Sequence, residues 1–260
     1  MQQRYVELDL LRTLAIVMMV IYHLAYDLEM YHGFPLGLFE NTSWYLLRQG
    51  TASLFLLLVG TSFAISWNRH QTKHGESSFA VRYKKYVLRG LGVIGCGMLV
   101  SMVTYVAEPE TYVRFGILHM IGVSILLLPF FARFREWNLL LGISFIGFQK
   151  IIVDILSVAG RRPALLPLGV MPTDFMSVDY FPLIPWFGIV LMGYAVGYFL
   201  YVRQRGFRKS SSDSSVSSDS SYARRRRALT WPGKNALLIY LLHQPLILGL
   251  LALLSRLGFV

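Results

Sequence analysis

The sequence predicts an all-α fold, a polytopic membrane helix bundle of about seven transmembrane helices. Hydrophobic residues make up 55% of the 260 positions and charged residues only 15%, and the mean hydropathy is +0.50. A soluble domain of this size is far less apolar. Apolar segments of about 20 residues, the length that crosses a bilayer, recur along the chain, and charged residues collect between them.

Seven segments are long and apolar enough, or nearly so, to cross a bilayer. They are residues 8–26, 46–67, 86–106, 115–133, 137–157, 181–201 and 236–257. The apolar stretch 165–171 is too short and contains a proline, so we expect an interfacial or re-entrant segment there. We therefore interpret residues 1–260 as a single transmembrane domain.

The charges between the spans predict the orientation of the chain. The second, fourth and sixth gaps are basic, with Arg69, Lys73, Arg82, Lys84, Lys85, Arg133, Arg135, Arg203, Arg205, Arg208, Lys209 and Arg224 to Arg227. The first and third gaps carry Asp27, Glu29, Glu40, Glu108 and Glu110. Because cytoplasmic loops are enriched in Lys and Arg, we expect a cytoplasmic N-terminus and an outside C-terminus, in a bacterial inner membrane. Topology also explains the net charge of +11, so we expect no nucleic-acid partner.

One gap has the composition of a disordered segment. Residues 209–227 are rich in Ser and Asp and end in a run of arginines. Such a composition cannot bury enough apolar surface to order itself. We expect a disordered cytoplasmic linker here, within the single domain.

The first span contains three ionisable residues, Asp9, Arg12 and His23. Ionisable groups at membrane depth are costly and usually functional. His23 follows Arg12 by eleven positions, which places both on one face of a helix, about 16 Å apart. Asp9 lies one turn before Arg12, where an ion pair offsets part of the cost of burying both charges.

Two further histidines, His119 and His243, fall within spans. Each needs a polar partner in a medium without water, so an interhelical hydrogen bond is the structural alternative to a functional role. Asp27 follows His23 by four residues, a spacing at which it can orient the imidazole of a general base. No carboxylate or histidine lies one turn from either of the other two, and the lone Cys96 lies in an apolar run. We therefore expect no metal site.

Four segments together resemble a known family. The pattern Arg12, ten residues, His23, preceded by Asp9, resembles the signature of integral-membrane acyltransferases that acetylate sugars across a membrane. The ending Lys234 to Pro245 is similar to the last-helix motif of that superfamily. Residues 115–122 and 179–186, FGILHMIG and DYFPLIPW, are similar to the bacterial members of the heparan-alpha-glucosaminide N-acetyltransferase catalytic-domain family.

The resemblance implies a transmembrane acetyltransferase. It would take acetyl-CoA from the cytoplasm and acetylate an amine or hydroxyl of a sugar or glycan outside. His23 would be the base or carry the acetyl group, and His119 or Arg12 would steady the oxyanion. His243 lies in a polar notch before Pro245, which lacks a backbone donor. The expected cations for the CoA phosphates are Arg12, Arg82, Lys84, Lys85 and Arg89.

A second function remains open from the sequence. In a proton-coupled transporter or flippase, Asp9, Arg12 and the histidines would form a relay. That protein would move its substrate without any dependence on CoA. Besides the lipid bilayer, the expected partners of the enzyme are acetyl-CoA and a sugar or glycan acceptor, and a homo-oligomeric assembly is left open.

Overall fold

A computed structural model describes residues 5–74, 79–158, 162–203 and 220–259. Within these ranges the chain is helical, which confirms the all-α prediction. The helices are α1 Val6–His32, α2 Thr42–His74, α3 Phe79–Ala107, α4 Ile117–Phe131, α5 Asn138–Gly147, α6 Gln149–Ser157, α7 Leu183–Gly197, α8 Ser220–Lys234 and α9 Ala236–Arg256. Short 3-10 helices cover Ala132–Trp137 and Pro163–Leu168, and a π-helical turn, Tyr198–Arg203, extends α7.

Six helical stretches of the described chain are long and apolar enough to cross a membrane. They are Val6–His32, Thr42–Arg69, Phe79–Ala107, Ile117–Gly147, Leu183–Arg203 and Ala236–Arg256. The chain is therefore an integral membrane protein of the predicted class. The segment predicted to be interfacial or re-entrant contains only a short 3-10 helix, which is too short to cross alone.

The described chain has six such stretches, close to the predicted count of about seven. Residues 137–157 do not form one helix, because α5 ends at Gly147 and the backbone of Phe148 is not helical. A kink at Arg135, with φ 47, also separates α4 from α5. The buried Asn138 supports this turn, since its side-chain amide donates to the carbonyl oxygens of Phe131 and Arg135, each at 2.9 Å.

The first of two compact units comprises residues 1–55 and 214–260. In it, α1 packs against α8 and α9. The crossing of α1 and α8 is close, because a Cβ atom on Gly233 would overlap the carbonyl oxygen of Asp9. At the same crossing, the Thr13 hydroxyl accepts the Gly233 N–H at 3.1 Å and lies 2.9 Å from the carbonyl oxygen of Leu229.

The second unit comprises residues 56–213. Here α3 packs along α4, and α5 packs along α7. Two α3 glycines permit the first contact: a Cβ atom on Gly90 would meet the backbone of α4 at 2.9 Å, and one on Gly97 would meet the His119 ring at 3.0 Å. Gly92 and Gly95 have no atom within 4 Å of that position. The glycine spacing of α3 therefore reflects packing at two positions of the four.

The predicted linker 209–227 is described only at its end. Residues 209–219 lie outside the described ranges. Residues 220–227 belong to α8 and are helical, which corrects the expectation of disorder for that part.

Candidate active site

Two of the predicted histidines meet in the first unit. The rings of His23 on α1 and His243 on α9 have centroids 4.7 Å apart and cross at 81°. His243 is buried, with 8% of its surface exposed, and His23 is half-buried. Sequence spacing predicted each residue within a span but gave no sign that the two would be neighbours.

Backbone carbonyl groups fix the tautomers of both rings. The Nδ1 atom of His23 lies 2.8 Å from the carbonyl oxygen of Met19, and that of His243 lies 2.6 Å from the carbonyl oxygen of Tyr240. A carbonyl oxygen only accepts, so each Nδ1 carries the hydrogen and donates it. The Nε2 atom of each ring then holds a lone pair. That of His243 is buried and has no hydrogen-bond partner among the described residues.

Asp27 does not orient His23, contrary to the sequence-based prediction. Its carboxylate is fully buried and accepts two hydrogen bonds from the side-chain amide of Gln244, at 2.8 and 2.9 Å. The Nδ1 atom of His23 donates to the carbonyl oxygen of Met19 and not, as predicted, to the carboxylate of Asp27. Residues four apart on α1 thus face two consecutive residues of α9.

The sequence predicted a polar notch in the last helix, just before Pro245. Helix α9 continues through Pro245, and a proline at this position has no N–H for the carbonyl group one turn earlier. His243 and Gln244, which precede the proline, both contact α1. The notch therefore faces the first helix.

Asp9 and Arg12 form the expected ion pair. The guanidinium Nη1 atom lies 2.7 Å from a carboxylate oxygen of Asp9, and Asp9 is buried. The pair stands on the same continuous helix as His23, at the N-terminal end of α1. It neutralises two charges that would otherwise be costly at this depth.

His119 lies in the second unit, at the start of α4. Its ring stacks on Phe115 with centroids 5.7 Å apart and fills the space left by Gly97. The residue is only 5% exposed, and neither ring nitrogen has a hydrogen-bond partner among the described residues. A buried imidazole without partners carries a desolvation cost that a bound group could relieve.

The two internal segments of the family resemblance lie side by side in the second unit. Phe115 pairs with Tyr180 as an isolated parallel bridge, and the Phe181 N–H donates to the Phe115 carbonyl oxygen at 2.9 Å. Asp179 accepts the first N–H of α4, that of Ile117, at 3.0 Å. The Tyr180 hydroxyl donates to a backbone carbonyl, and burial raises its pKa to about 12.

The predicted phosphate-binding cations of α3 also lie in the second unit. Lys84, Lys85 and Arg89 are exposed. Arg82 is half-buried, with its guanidinium carbon 5.0 Å from the centroid of the Trp67 ring. The exposed cations present positive charge, which suits a phosphate, whereas Trp67 itself is buried.

Sequence reasoning overlooked one contact of the site. The contact between Asp27 and Gln244 joins residues 217 positions apart, so no local spacing could reveal it. Gln244 was nevertheless visible as an amide beside His243 in an apolar span.

Comparison with known proteins supplies one match. The model of the family described as Heparan-alpha-glucosaminide N-acetyltransferase, catalytic, matches residues 4–245. The matched range includes both histidines of the first unit and both paired segments of the second. Neither a curated protein nor a solved structure matches the chain significantly.

Proposed function

Because the chain belongs to the heparan-alpha-glucosaminide N-acetyltransferase catalytic family, we propose that it moves an acetyl group from cytoplasmic acetyl-CoA to an extracytoplasmic sugar or glycan. Membership of the family supports a membrane protein of acetyltransferase type. We propose in addition that acetyl-CoA is the donor, that transfer runs from the cytoplasm outward, and that the acceptor is a sugar or glycan. The observation that carries it is the pair of imidazoles, His23 and His243, with both tautomers fixed.

The proposed chemistry uses the Nε2 lone pair of His23. In direct transfer, this nitrogen removes the proton from the acceptor amine or hydroxyl while the acceptor attacks the acetyl carbonyl carbon. The new C–N or C–O bond replaces the C–S bond, and the CoA thiolate leaves. In the two-step alternative, Nε2 attacks the acetyl carbonyl carbon first, the C–S bond breaks, the CoA thiolate leaves and an acetyl-imidazole forms; the acceptor, losing its proton, then displaces the imidazole.

His243 is proposed as the second base of the pair. Its Nε2 atom has no partner among the described residues and can hold the proton that the reaction releases. If His23 carries the acetyl group, His243 can deprotonate the acceptor in the second step. Two imidazolium ions at this separation would repel each other. The close contact therefore favours neutral rings, one of which can carry the acetyl group while the other accepts a proton.

The oxyanion of the tetrahedral intermediate needs a hydrogen-bond donor. The sequence offers Arg12 and His119 for this role. Arg12 is paired with Asp9 and precedes His23 by about three turns of α1, which is too far to contact an oxyanion beside that imidazole, so we do not propose Arg12 as the donor. A neutral imidazole carries one N–H group. That of His119 has no acceptor in the described part of the chain, so it is free to donate a hydrogen bond.

For the CoA phosphates we propose two separate candidate sites, the cations of α3 in the second unit and Arg12 in the first. Lys84, Lys85 and Arg89 are exposed and can reach a soluble anion. Arg82, whose guanidinium lies over the buried Trp67 ring, offers the edge of its guanidinium to a phosphate. In the proposed orientation this end of α3 is cytoplasmic, because basic loops stay on that side. The chain would then lie in a bacterial inner membrane with its N-terminus inside.

The experiment that tests the proposal incubates purified protein with radiolabelled acetyl-CoA and a panel of amino sugars and glycans. We expect label in the acceptor and release of free CoA in equal amounts. A proton-coupled transporter or flippase, the rival function, would give uptake of a sugar into proteoliposomes without CoA. Uptake without CoA, together with no labelled acceptor, would overturn the proposal.

A further inference from the structure

A second unpartnered hydrogen-bond acceptor lies beside the two imidazoles. The side-chain oxygen of Gln244, Oε1, is buried and has no hydrogen-bond partner among the described residues. The same is true of the Nε2 atom of His243, the preceding residue on α9. A buried polar atom without a partner carries the cost of losing water. Two such atoms on consecutive residues therefore indicate a place where a ligand supplies the missing hydrogen bonds.

Asp27 determines which end of the Gln244 amide is free. The amide nitrogen lies 2.8 and 2.9 Å from the two carboxylate oxygens of Asp27. An ionised carboxylate only accepts hydrogen bonds, so the nitrogen end of the amide must face it. The amide oxygen is left free to accept a hydrogen bond from another group.

The amide and the imidazole pair form two levels of one site. His23 and Asp27 are four residues apart on α1, which corresponds to a rise of about 6 Å along the helix. They contact two consecutive residues of α9, His243 and Gln244. All four residues belong to the first unit. The two levels therefore lie about one helical turn apart.

The free atoms at both levels accept hydrogen bonds. The Nδ1 atoms of His23 and His243 donate to backbone carbonyl groups, so each Nε2 atom offers a lone pair, and Gln244 adds its Oε1 atom. A group that binds at both levels must supply N–H or O–H hydrogens. An acetyl thioester has none at its reacting carbon, whereas a sugar has several. The arrangement therefore suits the acetyl acceptor.

We propose that Gln244 binds the hydroxyl group next to the reacting amine or hydroxyl of the sugar, so that the sugar is held at two points. The reacting group lies against the imidazole pair, and the hydroxyl on the neighbouring carbon atom donates to Oε1 of Gln244. Two hydrogen bonds of about 2.8 Å each can bridge levels one helical turn apart. This inference rests on the proposed function, since it assigns a contact of the acetyl acceptor.

Asp27 supports this contact without touching the sugar. The hydrogen bonds that its carboxylate accepts polarise the Gln244 amide, which makes Oε1 a stronger acceptor. They also hold the Gln244 side chain in place, so that little free energy is lost in ordering it when the sugar binds. Asp27 is thus a positioning residue, whereas Gln244 contacts the substrate.

The test removes the sugar hydroxyl and the amide oxygen separately and together. Radiolabelled methyl glucosaminide and its 3-deoxy analogue, which lacks the hydroxyl next to the amine, are equilibrated with the full-length protein in detergent without acetyl-CoA. We expect the wild type to bind the deoxy analogue about 2- to 10-fold more weakly, the factor for one neutral hydrogen bond. In Q244K the introduced ammonium group still donates to Asp27, but no acceptor remains, so both sugars should bind equally.

Two further variants separate recognition from a structural role. The double variant D27N/Q244E reverses the contact, since the introduced amide donates to the introduced carboxylate, and it leaves an acceptor oxygen at position 244. It should keep the preference for the sugar with the hydroxyl. Q149K, the same change at an exposed position of α6, is the matched control and should keep the full preference. If Q244K does not fold, Q244M, which also lacks the amide oxygen, decides the question.

The outcomes distinguish this inference from the proposed function. Full preference in Q244K would overturn the inference, as would equal binding of the two sugars to the wild type or to the double variant. A preference that depends on Gln244 without any acetyl transfer would contradict the proposed function and leave the contact standing. Acetyl transfer to both sugars with equal KM would contradict the contact alone.

Discussion

The side-chain amide of Gln244 donates to both carboxylate oxygens of Asp27, at 2.8 and 2.9 Å. The carboxylate is fully buried, and this amide gives it two hydrogen bonds from a residue 217 positions away. The contact fastens the last helix to the first beside the imidazole pair. We expect it to position His243 against His23.

Replacing Gln244 by Leu should destabilise the protein. The buried carboxylate loses its donors, a cost of about 1–3 kcal/mol or more for a charged group. Asp27→Asn is the comparison variant, because its side-chain oxygen still accepts from Gln244 and it carries no charge. The free energy of unfolding in detergent should fall more in Gln244→Leu than in Asp27→Asn. Equal losses would mean that the contact does not hold the helices together.

Gly233→Ala should disrupt the crossing of α1 and α8. The added Cβ atom would overlap the carbonyl oxygen of Asp9, and forcing extra atoms into close packing costs about 1–3 kcal/mol. Gly249→Ala on α9 is the matched control, since nothing lies within 4 Å of its new methyl group. Thermal unfolding of the two variants checks this. A Gly233→Ala protein as stable as Gly249→Ala would contradict the close crossing.

Gly97→Ala and Gly95→Ala form a second matched pair, on α3. A methyl group at Gly97 would press on the His119 ring at 3.0 Å, whereas one at Gly95 would have nothing within 4 Å. If His119 steadies the oxyanion, Gly97→Ala should lower kcat and leave acetyl-CoA binding intact. Gly95→Ala should have wild-type kcat. Equal kcat values in the two folded variants would remove His119 from the mechanism.

Features set by neighbours along one helix were predictable from the sequence. Asp9 and Arg12 are three residues apart, so a helix alone brings them together. The apolar lengths likewise predicted the spans, except at residues 137–157, where the helix ends at Gly147 and the backbone of Phe148 is not helical. A break at one apolar residue leaves no trace in a hydropathy pattern.

Features that depend on which helices are neighbours were not predictable. The sequence placed His23 and His243 in separate spans, and Asp27 next to His23 along the chain. Only the packing of α9 on α1 brings the two histidine rings together and lets Gln244 donate its hydrogen bonds to Asp27. Without knowledge of that packing, the nearest carboxylate in sequence was the natural orienter, and this prediction was wrong.

A double Lys84→Ala, Lys85→Ala change should weaken acetyl-CoA binding. Both side chains are exposed, so their attraction for phosphates should be screened by salt. We expect the difference in Kd between variant and wild type to shrink as ionic strength rises from about 0.01 to 1 M, over which the screening length falls about tenfold. Equilibrium dialysis with labelled acetyl-CoA checks this, and an unchanged Kd at low salt would assign the phosphates to other residues.

Arg12→Ala tests the other proposed phosphate contact. It leaves Asp9 buried without its ion-pair partner, so it should lower both stability and acetyl-CoA affinity. Arg12→Lys should restore the charge but only part of the affinity, because lysine lacks the planar fork of arginine. Unchanged acetyl-CoA affinity in a folded Arg12→Ala protein would make Asp9 and Arg12 a structural pair only.

The turnover of His23→Gln tests the central claim most directly. Glutamine can keep a hydrogen bond on α1 but cannot serve as a base, so kcat for acetyl transfer should fall by about 100-fold or more, with fold and acetyl-CoA binding retained. Wild-type activity should rise with pH as the imidazole loses its proton. A folded His23→Gln protein with wild-type kcat would contradict the account and leave His119 and His243 as the candidates.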